Sequence, residues 1–148
     1  MTPAVDAVAV KKHPLDGRHV GFTGTRQGMT SAQAEVVATL LKAGVLHHGD
    51  CVGADAQAHA IARENGLGVV IHPPTSTSLR AFCKGDLSWP LKPYLQRNRD
   101  IVDSTQELVA TPAGPEEQRS GTWSTIRYAR KRGKPVTVVY PDGVVTRW

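Results

Sequence analysis

The chain reads as a single α/β domain, a doubly wound parallel sheet of about five strands, and three observations predict it. Short Val-rich apolar runs alternate with segments of helical periodicity along the 148 residues. Turns rich in glycine and hydroxyl side chains stand where a run passes into a helix, and Gly44 and Gly133 close helices before the next run. Strands that alternate with helices pair in parallel through right-handed crossovers. The length suits one packed core.

Residues 1–17 hold Pro3, Pro14 and Gly17 with little periodicity, which predicts a loose arm ahead of a domain over 18–148. His19 to Thr23 is a short apolar strand. Thr30 then caps a helix, with Gln33 three residues on as in a capping box, and Val37, Leu40 and Leu41 follow at helical spacing. Val45 to His48 is the second strand, and Ala54 to about Asn65 a helix with a small-residue face of Ala58, Ile61 and Ala62. Leu67 to His72 is the third strand. The stretch 73–93, with four prolines and Trp89, is too long for an ordinary connection and predicts either a lid or an insertion. Leu108 to Thr111 and Val136 to Tyr140 complete the strands, with a helix opened by Ser120-Gly121-Thr122 between them.

The turns are where chemistry is expected. Parallel sheets bind ligands beyond the carboxyl ends of their strands, where strand order reverses. Gly24-Thr25-Arg26-Gln27-Gly28, Gly49-Asp50-Cys51-Val52-Gly53-Ala54-Asp55 and Arg119-Ser120-Gly121-Thr122 all emerge at that edge. A helix entered through Ser-Gly-Thr presents free N–H groups, two hydroxyls and the positive end of its dipole, which suits phosphate. If the first strand and the Leu108 strand are neighbours, the Gly24 and Ser120 loops face each other across a crevice.

Composition narrows the partners. Hydrophobic residues are 40% and charged residues 21%, ordinary globular proportions. A net charge of +5 favours an anionic partner without naming nucleic acid. Six basic and no acidic residues lie between Gln118 and Pro141, and Arg130, Lys131, Arg132 and Lys134 complement the negative end of the Ser120 helix. No apolar run approaches a membrane span, residues 1–10 lack the features of a leader, and two cysteines make no disulfide framework, so a cytoplasmic location is expected.

In this order the motifs resemble the SLOG superfamily of Rossmann-like domains, which includes the DNA-processing protein A family and the LOG-type phosphoribohydrolases. Gly24-Thr25-Arg26 resembles the first-strand Gly-Ser-Arg turn, and Gly53-Ala54-Asp55-Ala56-Gln57-Ala58-His59 a Gly-Ile-Asp-x-x-Ala-His segment. Arg97-Asn98-Arg99 resembles an Arg-Asn-Arg element, and Ser120-Gly121-Thr122 the Ser-Gly-Ser/Thr helix start. The resemblance spans about His19 to Tyr140 and is greatest to the compact YpsA-related branch. It implies a nucleotide-type ligand and a homo-oligomer, dimer or higher. LOG-type enzymes carry Pro-Gly-Gly-x-Gly-Thr-x-x-Glu, and Thr125 stands here where that glutamate would be. A threonine hydroxyl neither stabilises an oxocarbenium charge nor serves as a carboxylate base, which argues against that chemistry unless Asp50, Asp55, Glu116 or Glu117 supplies a carboxylate.

The candidate ligand-binding set is Gly24, Thr25, Arg26, Asp50, Gly53, Ala54, Asp55, Arg97, Arg99, Arg119, Ser120, Gly121, Thr122 and Trp123. Within it Asp55 either bonds a ribose or caps its helix, and Trp123 either stacks on a base or anchors the core. Arg97 and Arg99 lie about 200° apart on a helix, so one faces a ligand and the other forms an ion pair. His47-His48 with Cys51 lacks a second pair at ligand spacing, so no metal is expected, and no cofactor. No Gly-Lys-Ser/Thr loop is present, which disfavours a kinase or ATPase. The expected role is a sensor or sequestering protein for a nucleotide-derived signal (ADP-ribose, NAD-derived or cyclic nucleotide). The alternatives are a hydrolase cleaving the N-glycosidic bond of a nucleotide and a weak single-strand DNA binder.

Overall fold

Among the described residues seven strands form one sheet: β1 (His19–Gly24), β2 (Val45–His48), β3 (Gly68–Ile71), β4 (Leu87–Ser88), β5 (Glu107–Thr111), β6 (Val136–Val139) and β7 (Val145–Arg147). Their order is β4-β3-β2-β1-β5-β6-β7, parallel throughout except for β7, which returns antiparallel to β6. The computed structural model describes residues 13–148. Most of the arm expected over 1–17 therefore lies outside the described residues; from 13 onward the His13 N–H donates to Asp16 Oδ2 at 2.9 Å.

Among the described residues four helices cover the sheet: α1 (Ser31–Leu40), α2 (Ala54–Glu64), α3 (Tyr94–Asp103) and α4 (Gly121–Lys131). Strand periodicity sorts the core into two layers. Val109 joins Phe22, Leu46 and Ile71 against Val37 of α1 and Ala58 and Ala62 of α2. Its neighbours Leu108 and Ala110 point the other way, onto Val102 of α3 and Trp123, Ile126 and Ala129 of α4. Burying a side chain such as Phe22, which is fully covered, contributes roughly 1.5–3 kcal/mol. The doubly wound fold class stands, with β4 and β7 beyond the five strands expected. Among the described residues no helix is long and apolar enough to cross a membrane.

Local chemistry fixes the connections. Thr30 accepts from the Gln33 N–H at 3.1 Å while the Thr30 N–H donates to Gln33 Oε1 at 3.0 Å, the reciprocal box expected. The Gln33 amide also donates to the carbonyls of Pro112 and Val139, tying α1 to the ends of β5 and β6. Segment 73–93 runs along the β3 edge: Asp86 accepts from the Val69 N–H at 2.9 Å and from Arg63 at 2.8 Å, and the Trp89 N–H donates to the Ile71 carbonyl.

β1 pairs with β5 from Val20↔Glu107 to Gly24↔Thr111 and with β2 on its other side. The strand order therefore reverses at β1, and the crevice opens between the carboxyl ends of β1 and β5.

Candidate functional site

A cleft of about 470 Å³ occupies that crevice, within the size range of small-molecule sites. The β1 loop lines one wall through Gly24, Thr25 and Arg26, and the start of α4 lines the other through Arg119, Ser120, Gly121 and Thr122. Asp55, Cys51 and Gly49 of the β2–α2 turn, with Tyr94, Arg97 and Asn98 of α3, complete it. Nine of the fourteen sequence candidates thus line one cleft.

The N-termini of α2 and α4, both at this edge, differ. At α2 the Ala54 N–H donates to the Thr25 carbonyl at 3.0 Å, so that end is used to hold the β1 loop. At α4 Ser120 Oγ accepts from the Trp123 N–H at 3.2 Å, capping the helix while keeping its own hydroxyl hydrogen to donate. Among the described residues no acceptor meets the N–H groups of Gly121 and Thr122, nor does any hydrogen bond engage the Thr122 hydroxyl. A Cβ on Gly121 would meet no atom within 4 Å. Its φ is not positive, so openness toward the cleft, rather than backbone freedom, is what glycine supplies here.

The other glycines serve packing. A Cβ on Gly24 would strike Thr111 Oγ1 and Ala54 Cβ, and one on Gly53 would strike the Arg26 carbonyl. Gly53 has φ 89° and ψ −128°, a region closed to other residues. Gly24 lies in the cleft wall, whereas Gly53 and Ala54 stand behind it and shape the β1 loop.

Charge in the cleft is predominantly positive. Among the described residues Arg26 and Arg119, on facing walls, have no carboxylate partner. Arg97 is buried and fixed, donating to the Gly49 carbonyl and, at 3.0 Å, to the His72 carbonyl. Gly49 has no side chain because the guanidinium occupies that space. Among the described residues Asp55 is the one carboxylate in the lining. Burial pushes its carboxyl up to about 6, against the lowering pull of Arg97 and the N–H groups of Cys51 and Gly49. It holds the turn through the Cys51 N–H at 3.2 Å, and so ties down the loop ahead of its helix while still touching the cleft.

Three candidates stand elsewhere. Asp50 is fully buried and paired with Arg80 at 2.6 Å. Arg99 lies 5.3 Å over the Tyr128 ring, in the groove between α3 and α4, with no ion pair among the described residues. Trp123 is 3% exposed in the core, its indole N–H donating to the Gly114 carbonyl at 3.2 Å. Helical spacing with Ile126 and Ala129 was the signal for that placement. Tyr94 and Asn98 are among the cleft residues outside the candidate set, as are Gln27, Gly49 and Cys51 of the same turns; Tyr94 and Asn98 lie within one turn of Arg97, which is the signal they offered.

Away from the cleft lining, histidines form two arrays. His19 Nε2–H donates to the Leu15 carbonyl at 3.0 Å, which leaves Nδ1 to accept from His47 Nε2 at 2.7 Å. His47 Nδ1 then accepts from His72 Nε2 at 2.8 Å, and His72 Nδ1 ends the chain buried and without a partner among the described residues. In the second array His48 Nδ1 accepts from the Asp50 N–H at 2.9 Å, so Nε2 carries the proton that it donates to His59 at 3.0 Å. With Cys83 this pair forms a cluster of potential metal ligands. The Asp50 N–H donating to His48 Nδ1 fixes a tautomer that points the Nε2 proton at the centre of the cluster, so His48 does not offer that nitrogen to a metal.

No family model matches the chain, and no curated protein is detectably similar in sequence. Solved structures share its fold. A molybdenum cofactor binding protein from Rippkaea orientalis is 21% identical with a TM-score of 0.68, over 85% of this chain and 78% of its own. The molybdenum cofactor carrier protein of Chlamydomonas reinhardtii is 24% identical with a TM-score of 0.60, over 83% and 76%. DNA processing protein A from Helicobacter pylori, which binds single-stranded DNA, is 20% identical with a TM-score of 0.62; the match covers 82% of this chain but only 64% of that protein. At these identities the likeness is one of fold alone, a Rossmann-like one.

Proposed function

We propose that this protein holds a phosphate-bearing, nucleotide-derived ligand in the β1–β5 cleft, as a sensor or sequestering protein. The observation that carries the reading is the start of α4, where two unsatisfied N–H groups and a free hydroxyl face a cleft with unpaired arginines on both walls. Anions bind where helix N–H groups, the helix dipole and guanidinium donors converge. Gly24, Thr25, Arg26, Arg97, Arg119, Ser120, Gly121 and Thr122 form the proposed site, with Asp55 facing the sugar. Cofactor carriage by proteins of the same fold supports holding over turnover, as does Thr125, whose hydroxyl is engaged with the Gly121 carbonyl at 2.9 Å. A cytoplasmic homo-oligomer of the YpsA-related branch is the finer form of the proposal.

Thermal shift against ADP-ribose, NAD, mononucleotides and cyclic nucleotides tests it. A ligand at 100 times Kd adds ~2.7 kcal/mol, which for a chain of this size raises Tm by roughly 5–10 °C. Gly121→Val is expected to erase that shift while leaving the apo protein within about 1 kcal/mol of the original, because a Cβ at this position meets no neighbouring atom within 4 Å. Thr122→Ala is expected to weaken binding by about one to two orders of magnitude. A panel that produces no shift sinks the reading, as does a shift that survives Gly121→Val. Release of free base from a mononucleotide would replace holding with hydrolysis. Oligonucleotide affinity above that of every mononucleotide, falling steeply with salt, would favour the DNA reading instead.

A further inference from the structure

Two aromatic rings line the cleft, and Phe22 is fully buried, which leaves Tyr94 as the one a ligand can reach. Two guanidinium groups lie over the Tyr94 ring, Arg26 at 5.1 Å and Arg97 at 5.2 Å. They are not equivalent. Arg97 is anchored from below by the Gly49 and His72 carbonyls and by Asn98 Oδ1 at 2.7 Å. Arg26 reaches over from the β1 loop, is exposed, and has no carboxylate or carbonyl partner among the described residues.

The backbone beneath Arg26 is fixed. The Thr25 N–H donates to the Thr111 carbonyl at 3.1 Å, the Thr25 carbonyl accepts from Ala54 and Gly28, and the Gln27 N–H donates to Thr25 Oγ1 at 3.1 Å. Only the side chain is free to move. The Tyr94 hydroxyl, meanwhile, is covered and has no hydrogen-bond partner among the described residues, an unfavourable state for a buried polar atom.

We propose that Arg26 is a displaceable cover over Tyr94, drawn onto the ligand's phosphate so that the uncovered ring receives a planar heterocycle carried on the same ligand. A guanidinium–ring contact at an exposed position is weaker than a bidentate guanidinium–phosphate pair, so the anion wins Arg26. The vacated face then offers an aromatic platform beside the phosphate position. The ligand class is a heteroaromatic phosphate, such as a nucleoside monophosphate or a flavin-like phosphate, and not a bare sugar phosphate. The inference rests on the phosphate-holding reading above.

Calorimetry on the full chain separates the two. The probes are inorganic phosphate, ribose 5-phosphate, the four common nucleoside monophosphates and flavin mononucleotide, with Tyr94→Leu, Tyr94→Phe and Arg26→Ala beside the unaltered protein. Stacking on an aromatic side chain favours a ring-bearing ligand by on the order of 10- to 100-fold. At least one ring-bearing probe is expected to exceed ribose 5-phosphate by that factor, and the nucleotide and flavin arms tell which ring the platform fits. Tyr94→Leu is expected to abolish the preference while ribose 5-phosphate binding persists, which also reports that the variant is folded. Tyr94→Phe keeps the ring and should keep the preference without lowering apo Tm. Arg26→Ala should weaken every phosphate probe yet preserve the preference. Equal affinities in the unaltered protein, or a preference undiminished by Tyr94→Leu, overturn this inference and leave the phosphate reading standing. Failure of ribose 5-phosphate and all ring-bearing probes to bind overturns both.

Discussion

Replacing Asp50 with alanine is expected to lower folding stability by about 3 kcal/mol and Tm by roughly 6–12 °C. Asp50 is fully buried, and each of its polar atoms is engaged. Oδ2 pairs with Arg80 at 2.6 Å, Oδ1 accepts from the Cys83 N–H at 2.8 Å, and the backbone carbonyl accepts from the Ala81 N–H at 2.7 Å. The residue thus nails segment 79–83 to the β2–α2 turn. Removing one partner of a buried ion pair costs ~3–5 kcal/mol because the other is left without compensation; the lower end applies, since Arg80 keeps 20% of its side chain exposed. Backbone adds to the loss, because Asp50 has φ 57°, which aspartate and asparagine tolerate better than alanine. Asp50→Asn retains that tolerance and an acceptor for Cys83, and is expected to lose about half as much. Denaturant unfolding of both variants checks the ranking. A loss under 1 kcal/mol for Asp50→Ala would show that the clamp contributes little. Ligand affinity should survive Asp50→Asn, since Asp50 lies outside the cleft lining.

That placement shows where sequence reasoning reaches and where it stops. Turn chemistry is local: Ser120, Gly121 and Thr122 opening an amphipathic helix, or Thr30 facing Gln33, declare themselves within four residues, and the structure places both as expected. Strand alternation is local too, which is why the fold class was legible. Which carboxylate of the Gly49–Asp55 turn faces outward is a different kind of fact. It depends on Arg80, thirty residues away, entering the turn from a segment whose only strand has two residues and no periodicity to read. β7, three residues long, escaped for the same reason.

Tyr94 shows the converse. Its aromatic ring follows Pro93 at the head of α3, just past the stretch 73–93, and nothing local sets it apart as a ligand contact. Only the β1–β5 adjacency brings that helix end under the β1 loop and sets Arg26 across the ring. The glycines teach a related lesson. Gly24, Gly49, Gly53 and Gly121 look alike in sequence, yet the first three make room for protein atoms and Gly121 faces open space. Composition marks such positions; packing decides which of them a ligand can use.

Acidification from pH 7 to pH 5 is expected to lower stability by on the order of 5 kcal/mol, and Tm by roughly 10–20 °C. His19, His47 and His72 come from three separate parts of the chain and meet because β1, β2 and β3 are neighbours. Burial, helped by the neighbouring imidazoles and Arg97, lowers His47, His48 and His72 to about 3 from the ordinary 6.5. Between those values the folded protein keeps all three neutral while the unfolded chain protonates them. The unfolded state therefore binds more protons, and stability is complete above pH 6.5 and drains away as pH falls toward 3. Each group costs about 1.4 kcal/mol per pH unit, so the three together remove about 6 kcal/mol at pH 5. Asp55 works in the opposite direction. Raised to about 6, it binds its proton more readily when folded and returns about 1 kcal/mol over the same range. The remainder is a large share of the ~5–15 kcal/mol that holds a typical domain. Melting temperatures measured from pH 8 to pH 4.5 report the slope directly. His72→Gln, which removes one of the three titrations, should reduce that slope by roughly a third whatever it does to absolute stability. A melting temperature that stays level between pH 7 and pH 5, or a slope untouched by His72→Gln, would mean that water or a moved side chain solvates these imidazoles and that the array is not the dry, neutral relay its geometry describes.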